Sequence, residues 1–231
     1  MRAWVISVIV MRSGDARREI LHAIRENLAQ GLVSSPPDRL SAPASSPPVP
    51  LSVPERGDVV KHFTEQLTAV GAQWTVVRTE AEAAAALARI LTDAGARRVV
   101  GSDAPLVQRL LQSVKNGLVI DRLERLSRDA LFACDAGVTT AQWGIADTGT
   151  LVLESAREQS RLLSLVPPIH VALLSTRCIC DSLREALGRV SVASHAITFI
   201  TGPSRTSDIE LTLVVGVHGP QTVHVLLMEE A

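Results

Sequence analysis

The chain has 231 residues, of which 46% are hydrophobic and 20% charged, and its formal net charge is −1. These values predict a globular protein with a sizeable core and exclude the basic, aromatic-rich surface that nucleic-acid binding requires. No apolar run reaches the length of a membrane-spanning helix, and three cysteines are too few for a disulfide framework, so we expect a cytoplasmic protein without a membrane segment.

The first 33 residues are predicted to form a tail and one helix. The apolar run from Ala3 to Met11 lacks the small-residue cleavage pattern of a signal peptide, so we expect translation to start at Met11. Hydrophobic residues at helical spacing predict an amphipathic helix over residues 13–30, which Gly31 ends.

A segment rich in proline and serine follows, over residues 34–54. It holds seven of the twelve prolines and six serines, a composition that cannot keep helical or ladder hydrogen bonds. We expect an extended tether in front of a main domain over residues 55–231, with an arm that wraps a partner as the alternative. The helix before the tether is a candidate for docking on another subunit.

The first half of the main domain alternates helices with short strands. Hydrophobic periodicity predicts helices over residues 59–70, 80–94, 106–113 and 122–133, and strands over residues 73–77, 98–101, 118–120 and 136–141. This alternation predicts a mainly parallel sheet with helices on both faces.

The second half has more strands per residue. Strands are predicted over residues 150–154, 169–174, 196–200, 211–215 and 223–228, with one clear helix over residues 182–190. The expected fold is therefore α/β with a mixed, mainly parallel sheet, in which antiparallel strands extend the sheet or form its edge.

A loop that reads GIADTGT, over residues 144–150, is the first part of a predicted ligand-binding region. The residues predicted to bind an anion are two glycines and two threonines: Gly144, Thr148, Gly149 and Thr150. Asp147 is the candidate acid or base. A tight hairpin turn explains the same residues without a ligand.

A second loop reads TGPSRTSD, over residues 201–208. Arg205 presents a fork of hydrogen-bond donors that matches a carboxylate or a phosphate. The residues expected to support it are Gly202, Ser204, Thr206 and Asp208. A capped turn with a surface arginine is the alternative.

His218 and Gly219 lie in a third turn, which we expect beside the Gly202 loop. There His218 would act as an acid or base and Gly219 would contribute to ligand binding. The histidines and acids lack the spacing of metal ligands, so no metal site is predicted. Arg161 precedes a Pro-Pro bend that structure alone explains, and a role in anion binding is the alternative reading.

Three segments together resemble a known family. They read GIADTGTLVLES, RLLSLVPPIHVALL and ITFITGPSRTSDIELTLVVGVHGPQTVHVLL, and their motifs fall within about residues 130–231. The chain resembles the lactate-utilisation protein C family (LutC/YkgG), whose domain is the LUD domain, also in its layout of a short helix and a proline-rich segment. Where this chain has Asp147 the family pattern leads us to expect glutamate, and the shorter carboxylate would not serve a role that needs the longer reach.

The resemblance implies a fold like that of the glucosamine-phosphate deaminase, ribose-phosphate isomerase and CoA-transferase group. It also implies a cytoplasmic, non-redox subunit of a system that oxidises L-lactate to pyruvate, with Fe–S clusters in partner subunits and no cofactor in this chain. We expect a small carboxylate or phosphate anion to bind between the loops, with Arg205 holding it. The alternatives are a stand-alone sugar-phosphate isomerase or CoA-transferase-like enzyme, and a structural adaptor whose loops are only turns.

Overall fold

The computed structural model describes residues 13–31, 56–114, 117–122, 127–158, 161–207, 213–215 and 219–229. Residue contacts divide the chain into two units, residues 1–53 and residues 54–231. The first unit contains helix α1 (Ser13–Gly31), where the sequence predicts a helix. The predicted tail and proline-rich tether lie outside the described residues.

The second unit contains alternating helices and strands. Its described helices are α2 (Arg56–Ala69), α3 (Glu80–Asp93), α4 (Pro105–Ser113), α5 (Arg128–Phe132), α6 (Leu162–Leu165) and α7 (Leu183–Arg189). Its described strands are β1 (Gln73–Val77), β2 (Arg98–Gly101), β3 (Val119–Arg122), β4 (Ala136–Thr140), β5 (Trp143–Ile145), β6 (Thr150–Glu154), β7 (Ile169–Ser175), β8 (Ile179–Cys180), β9 (Ile197–Ile200), β10 (Arg205–Ser207), β11 (Leu213–Val215) and β12 (Thr222–Met228). Within the described ranges, no helix combines the length and the apolar character needed to cross a membrane.

Local signals in the sequence set the helix ends. Thr79 Oγ1 accepts a hydrogen bond from the Glu82 N–H at 3.1 Å and so caps the start of α3. Pro105 occupies the first position of α4, where its missing N–H costs nothing. The helix predicted over residues 122–133 is shorter than expected, because Ser127 Oγ accepts from the Ala130 N–H at 3.2 Å and starts α5 there.

Six parallel strands form the main sheet, in the order β1-β12-β7-β4-β2-β3. The earliest and latest of these strands in the sequence, β1 and β12, lie side by side, and their register runs from Gln73 opposite His224 to Val77 opposite Met228. The predicted α/β fold with a mainly parallel sheet is confirmed.

The sequence analysis expected antiparallel strands to extend the main sheet or form its edge. Instead, the described antiparallel pairs lie in a second sheet, in the order β8-β5-β6-β9, where β8 is parallel to β5, and in the two-stranded sheet β10–β11. The chain changes sheets between two neighbouring residues. The Ala141 N–H still donates to Leu173 O of the main sheet at 2.8 Å, whereas the Gln142 N–H donates to Val152 O of the second sheet at 2.9 Å. From Gln142 onward the chain therefore pairs with β6, so β5 belongs to the second sheet.

Helices cover both faces of the main sheet, as predicted. Neighbouring β2 residues point to opposite faces: Val99 packs with α3 and α4, and Val100 packs with Leu131 of α5 and Leu163 of α6. Helix α2 lies between the main sheet and the second sheet. Its Phe63 is fully buried there, and burial of such a side chain stabilises the fold by about 1.5–3 kcal/mol.

Candidate functional site

The loop over residues 144–150 is the turn of the β5–β6 hairpin. Asp147 and Thr148 are exposed in a 3-10 turn, and Gly149 follows with φ +61°. Thr148 Oγ1 and Thr150 Oγ1 are hydrogen-bonded at 2.7 Å. The segment thus has the hairpin geometry that the sequence offered as one of its two readings.

The two glycines of this hairpin make close packing contacts. A Cβ added to Gly144 would lie 2.8 Å from Leu174 Cδ2 and 3.0 Å from Phe63 Cζ. A Cβ on Gly149 would lie 2.6 Å from the Gln66 carbonyl carbon of α2. Packing against α2 and β7 therefore accounts for both glycines without a ligand.

The loop that begins at Thr201 follows β9 and contacts Val70, just beyond the end of α2. Gly202 has φ +71°, and a Cβ there would lie 2.4 Å from Val70 O. Arg205 Nη2 donates to the same Val70 carbonyl oxygen at 2.7 Å. Arg205, which is predicted to hold an anion, therefore donates one hydrogen bond to a carbonyl just beyond the end of α2. An anion would bind to the other N–H groups of its guanidinium.

The third turn lies beside the Gly202 loop, as expected. The Ser204 N–H donates to Pro220 O at 2.8 Å, and a Cβ on Gly219 would lie 3.1 Å from Ser204 Cβ. Asp208, His218 and the side chain of Thr206 lie outside the described residues.

Asp147 sits among other acidic groups. Its N–H donates to Asp181 O at 3.1 Å. Burial raises the pKa of Asp181, and the negative charges of Glu185 and Asp147 raise it further, while His62 opposes them. Two residues after Asp147, Gly149 packs against Gln66 within α2, whereas Arg205 contacts Val70 just beyond the end of that helix.

A different group of side chains lies where the strand order of the main sheet reverses. After β2 the chain adds β3 on one side of that strand, and β4 then pairs on the other side. In open α/β sheets the crevice beyond the carboxyl ends of such strands is the usual place for a ligand. Ser102 follows β2 at this point, and Thr140 ends β4.

Glu158 joins the two strand ends. Its Oε1 accepts from the Thr140 N–H at 2.7 Å, from the Thr140 hydroxyl, and from Ser102 Oγ at 3.2 Å. Only 3% of Glu158 is exposed, and among the described residues its Oε2 has no hydrogen-bond partner. Burial raises the pKa of Glu158, although the bonds from Thr140 and Ser102 oppose the shift.

A cavity of about 160 Å³ adjoins Glu158. Its lining residues are Leu153, Ser155, Glu158, Arg161, Ala196 and Thr198. The accessible wall of the cavity is mostly apolar, and residues that carry a carboxyl, a guanidinium and two hydroxyl groups contribute to it. A mostly apolar wall with a few polar residues is typical of a small-molecule site.

Glu154, four residues earlier, has the opposite character. Burial favours its neutral form, but hydrogen bonds from Ser194 Oγ, the Ser191 N–H and Trp143 Nε1 outweigh it and lower the pKa of Glu154. The Glu158 N–H donates to Glu154 O at 2.8 Å, so both acids belong to one turn. Two neighbouring carboxyl groups with diverging pKa values are a recurring feature of sites that handle protons.

A second cavity, of about 330 Å³, lies at the carboxyl ends of β4 and β7. Arg189 stacks over Trp143 in its wall, with 5.4 Å between the guanidinium carbon and the ring centroid. Arg157 and Cys178 also line it. Two arginines therefore line the cavity at this end of the main sheet.

The sequence analysis missed Ser102, Thr140, Glu154 and Glu158. One signal was available, because Ser102 and Thr140 directly follow or end strands that the sequence predicts correctly, and such positions carry sites in α/β proteins. Glu158 had no such signal. Its contacts join residues 56 and 18 positions away in the sequence, which no local pattern reveals.

Comparisons with known proteins agree with the fold. The chain matches the LUD domain family model over residues 60–228. Lactate utilization protein C of Deinococcus radiodurans is 33% identical over 225 residues, which cover 94% of this chain and 97% of that protein. The uncharacterized protein YkgG of Escherichia coli is 30% identical over 234 residues, which cover 94% of this chain and 99% of that protein.

A solved structure is also similar. It is the crystal structure of a DUF162 family protein from Deinococcus radiodurans, with a TM-score of 0.60 and 25% identity, covering 76% of this chain and 99% of that one. The family model spans most of this chain, and the two relatives match this chain over nearly their whole length. The resemblance of the three sequence segments to the lactate-utilisation protein C family is therefore confirmed. This chain belongs to the LUD domain family.

Proposed function

We propose that this protein serves in lactate utilisation, as the non-redox subunit of a cytoplasmic system that oxidises L-lactate to pyruvate together with Fe–S partner subunits. The observation that carries the proposal is the similarity to lactate utilization protein C of Deinococcus radiodurans, which spans nearly all of both chains. Similarity over the whole length supports a shared role better than a shared motif does.

The cysteine content supports a non-redox role. The sequence has three cysteines, whereas iron–sulfur clusters are usually held by about four cysteine thiolates. Cys134 and Cys180 are buried, and burial raises the pKa of Cys180 to about 11, which disfavours the thiolate that a cluster ligand requires. The proposal therefore assigns electron transfer to the partner subunits.

The protein is further proposed to bind a small carboxylate or phosphate anion. Arg205 stays the predicted anchor at the loops over residues 144–150 and 201–208, with Asp147 and His218 as the predicted acid and base. Arg161, in the wall of the Glu158 cavity, supports a second location.

Gene deletion in the native host tests the proposed role. The deletion strain should grow normally on glucose and fail on L-lactate as sole carbon source, and a plasmid copy should restore growth. Affinity-tagged protein from lactate-grown cells should copurify with subunits that show iron–sulfur absorption. Unimpaired growth on L-lactate, with tagged protein that purifies without such subunits, would contradict the proposal.

A further inference from the structure

The starting observation is the asymmetry of the Glu158 carboxyl group. Three donors converge on Oε1, while the equally buried Oε2 has no partner among the described residues. A buried polar atom without a partner is costly, by about 1–3 kcal/mol, and is therefore unusual in a folded protein. Such an atom beside a cavity is explained if a ligand supplies the missing hydrogen bond.

The protonation state of Glu158 determines what that bond would be. Burial raises the pKa of Glu158, and the nearby charge of Asp103 adds to the effect. Three donors already converge on Oε1, so in the neutral form, which burial favours, Oε2 is the oxygen left to carry the proton. Glu158 would then donate a hydrogen bond to an acceptor oxygen of a bound molecule.

The cavity limits the size of that molecule. An engineered cavity of about 150 Å³ is known to bind benzene, so a volume of about 160 Å³ accommodates roughly six non-hydrogen atoms. Arg161 offers a planar fork for a carboxylate, and Leu153 and Ala196 offer apolar contact for a methyl or methylene group.

We propose that this cavity is a binding site for a small organic acid, whose carboxylate pairs with Arg161 and whose second oxygen accepts a hydrogen bond from Glu158 Oε2. Ser155 and Thr198 line the same wall, and Ser155 Oγ accepts a hydrogen bond from the Ala196 N–H at 3.0 Å. The inference rests on the proposed function and deepens it, because it assigns residues and a ligand class to the second location for an anion.

Other charged groups near Glu158 shape its response to pH. Asp103 lies on the loop after β2, while Glu154 and Arg157 belong to the same turn as Glu158. The hydrogen bonds from Thr140 and Ser102 favour the ionised form of Glu158, and the charge of Asp103 favours the neutral form. When pH rises through the raised pKa of Glu158, its negative charge should repel the carboxylate of the ligand.

Calorimetric titration of the purified full chain tests the site, with L-lactate, pyruvate, propionate and L-lactamide as probes. L-lactate or pyruvate should bind. Propionate, which lacks the second oxygen, should bind about tenfold more weakly, since one hydrogen bond to a buried group is worth about 1.5 kcal/mol. L-lactamide, which lacks the charge, should bind at least about tenfold more weakly.

Variants assign the contacts. Arg161→Gln should weaken L-lactate binding at least about tenfold without changing L-lactamide binding, whereas Arg97→Gln, on an exposed arginine before β2, should change neither. Glu158→Gln places an N–H donor where neutral Glu158 has its O–H, so it should retain binding and lose the decline that the wild type shows as pH rises. Glu158→Ala should abolish binding.

Three results would overturn the inference: the absence of binding by all four probes, equal binding of L-lactate and propionate, or an Arg161→Gln variant that binds like the wild type. Arg161 is exposed, so its substitution tests the site even if Glu158→Ala does not fold. The growth experiment separates this inference from the proposed function. A strain that needs the gene on L-lactate although the protein does not bind these acids would refute the site alone, and tight binding without a growth defect would refute the role alone.

Discussion

Glu154 shows how one buried carboxylate organises several donors. Its two oxygens accept from Trp143 Nε1 at 2.9 Å, the Ser191 N–H at 2.8 Å and Ser194 Oγ at 2.8 Å. We expect Glu154→Ala to lower the free energy of unfolding by about 2–4 kcal/mol, because it leaves these donors without a partner. Urea unfolding followed by circular dichroism measures the change.

The matched control for Glu154→Ala is Glu65→Ala, which removes an exposed carboxylate from α2. It should change stability by less than about 0.5 kcal/mol. Equal losses in the two variants would show that the hydrogen bonds of Glu154 contribute nothing specific.

Gly149 and Gly188 form a second matched pair of residues. Gly149 has φ +61° and touches the α2 backbone, whereas Gly188 lies in α7, where no atom of the described residues lies within 4 Å of an added Cβ. Gly149→Ala should destabilise the protein by about 1–3 kcal/mol, and Gly188→Ala should be neutral or stabilise it by up to about 1 kcal/mol. Thermal unfolding of both variants checks the difference in sign.

At the scale of elements, α2 contacts two of the three loops of the predicted site. Gly144, Gly149, Gly202 and Arg205 all contact this helix or the residue that follows it. Packing against α2 therefore accounts for these residues. Ligand binding at Arg205 is a separate prediction, which the Arg205→Ala variant tests.

Arg205→Ala separates these two roles. Loss of the hydrogen bond to Val70 O should lower stability by about 0.5–1.5 kcal/mol. If Arg205 also anchors an anion, phosphate or L-lactate binding measured by calorimetry should weaken at least about tenfold. A variant that is less stable but binds as the wild type does would assign Arg205 to structure only.

Most of the elements could be predicted from the sequence, because their signals are local. The strands over residues 73–77, 98–101 and 150–154 have the predicted bounds. The separate second sheet could not be predicted, since it depends on where Ala141 and Gln142 find their partners in strands that come later in the chain. Glu158 could not be predicted for the same reason, because the groups that donate hydrogen bonds to it lie at the ends of two strands distant in the sequence.

At the scale of the whole molecule, Glu154 and Glu158 make stability depend on pH in opposite directions. The lowered pKa of Glu154 contributes stability that is present above the ordinary value of 4.5 and is lost as pH falls through the lowered value. The raised pKa of Glu158 contributes stability that is complete below 4.5 and is lost as pH rises through the raised value.

Unfolding free energies measured from mildly acidic to mildly alkaline pH should therefore depend less on pH in Glu158→Gln than in the wild type. The variant removes only the loss on the alkaline side, so the loss in acid should be retained. A wild type and variant with parallel curves would show that Glu158 titrates near its ordinary value.

The unit over residues 54–231 should fold without the first unit. All hydrophobic clusters of the described residues lie within it. A fragment of residues 54–231 should unfold cooperatively in calorimetry, whereas a fragment of residues 71–231, without α2 and its buried Phe63, should not. Cooperative unfolding of both fragments would contradict the place given to α2 in the core.

The pairing of β1 with β12 has a consequence for synthesis on the ribosome. The neighbour of β1 in the sheet is made only after residues 78–221, so during that interval β1 has an open edge on which another chain can pair. Translation that stalls before β12 would release chains whose sheet is missing an inner strand. Nascent copies of this protein should therefore be substrates for chaperones that shield exposed strands until the sheet closes.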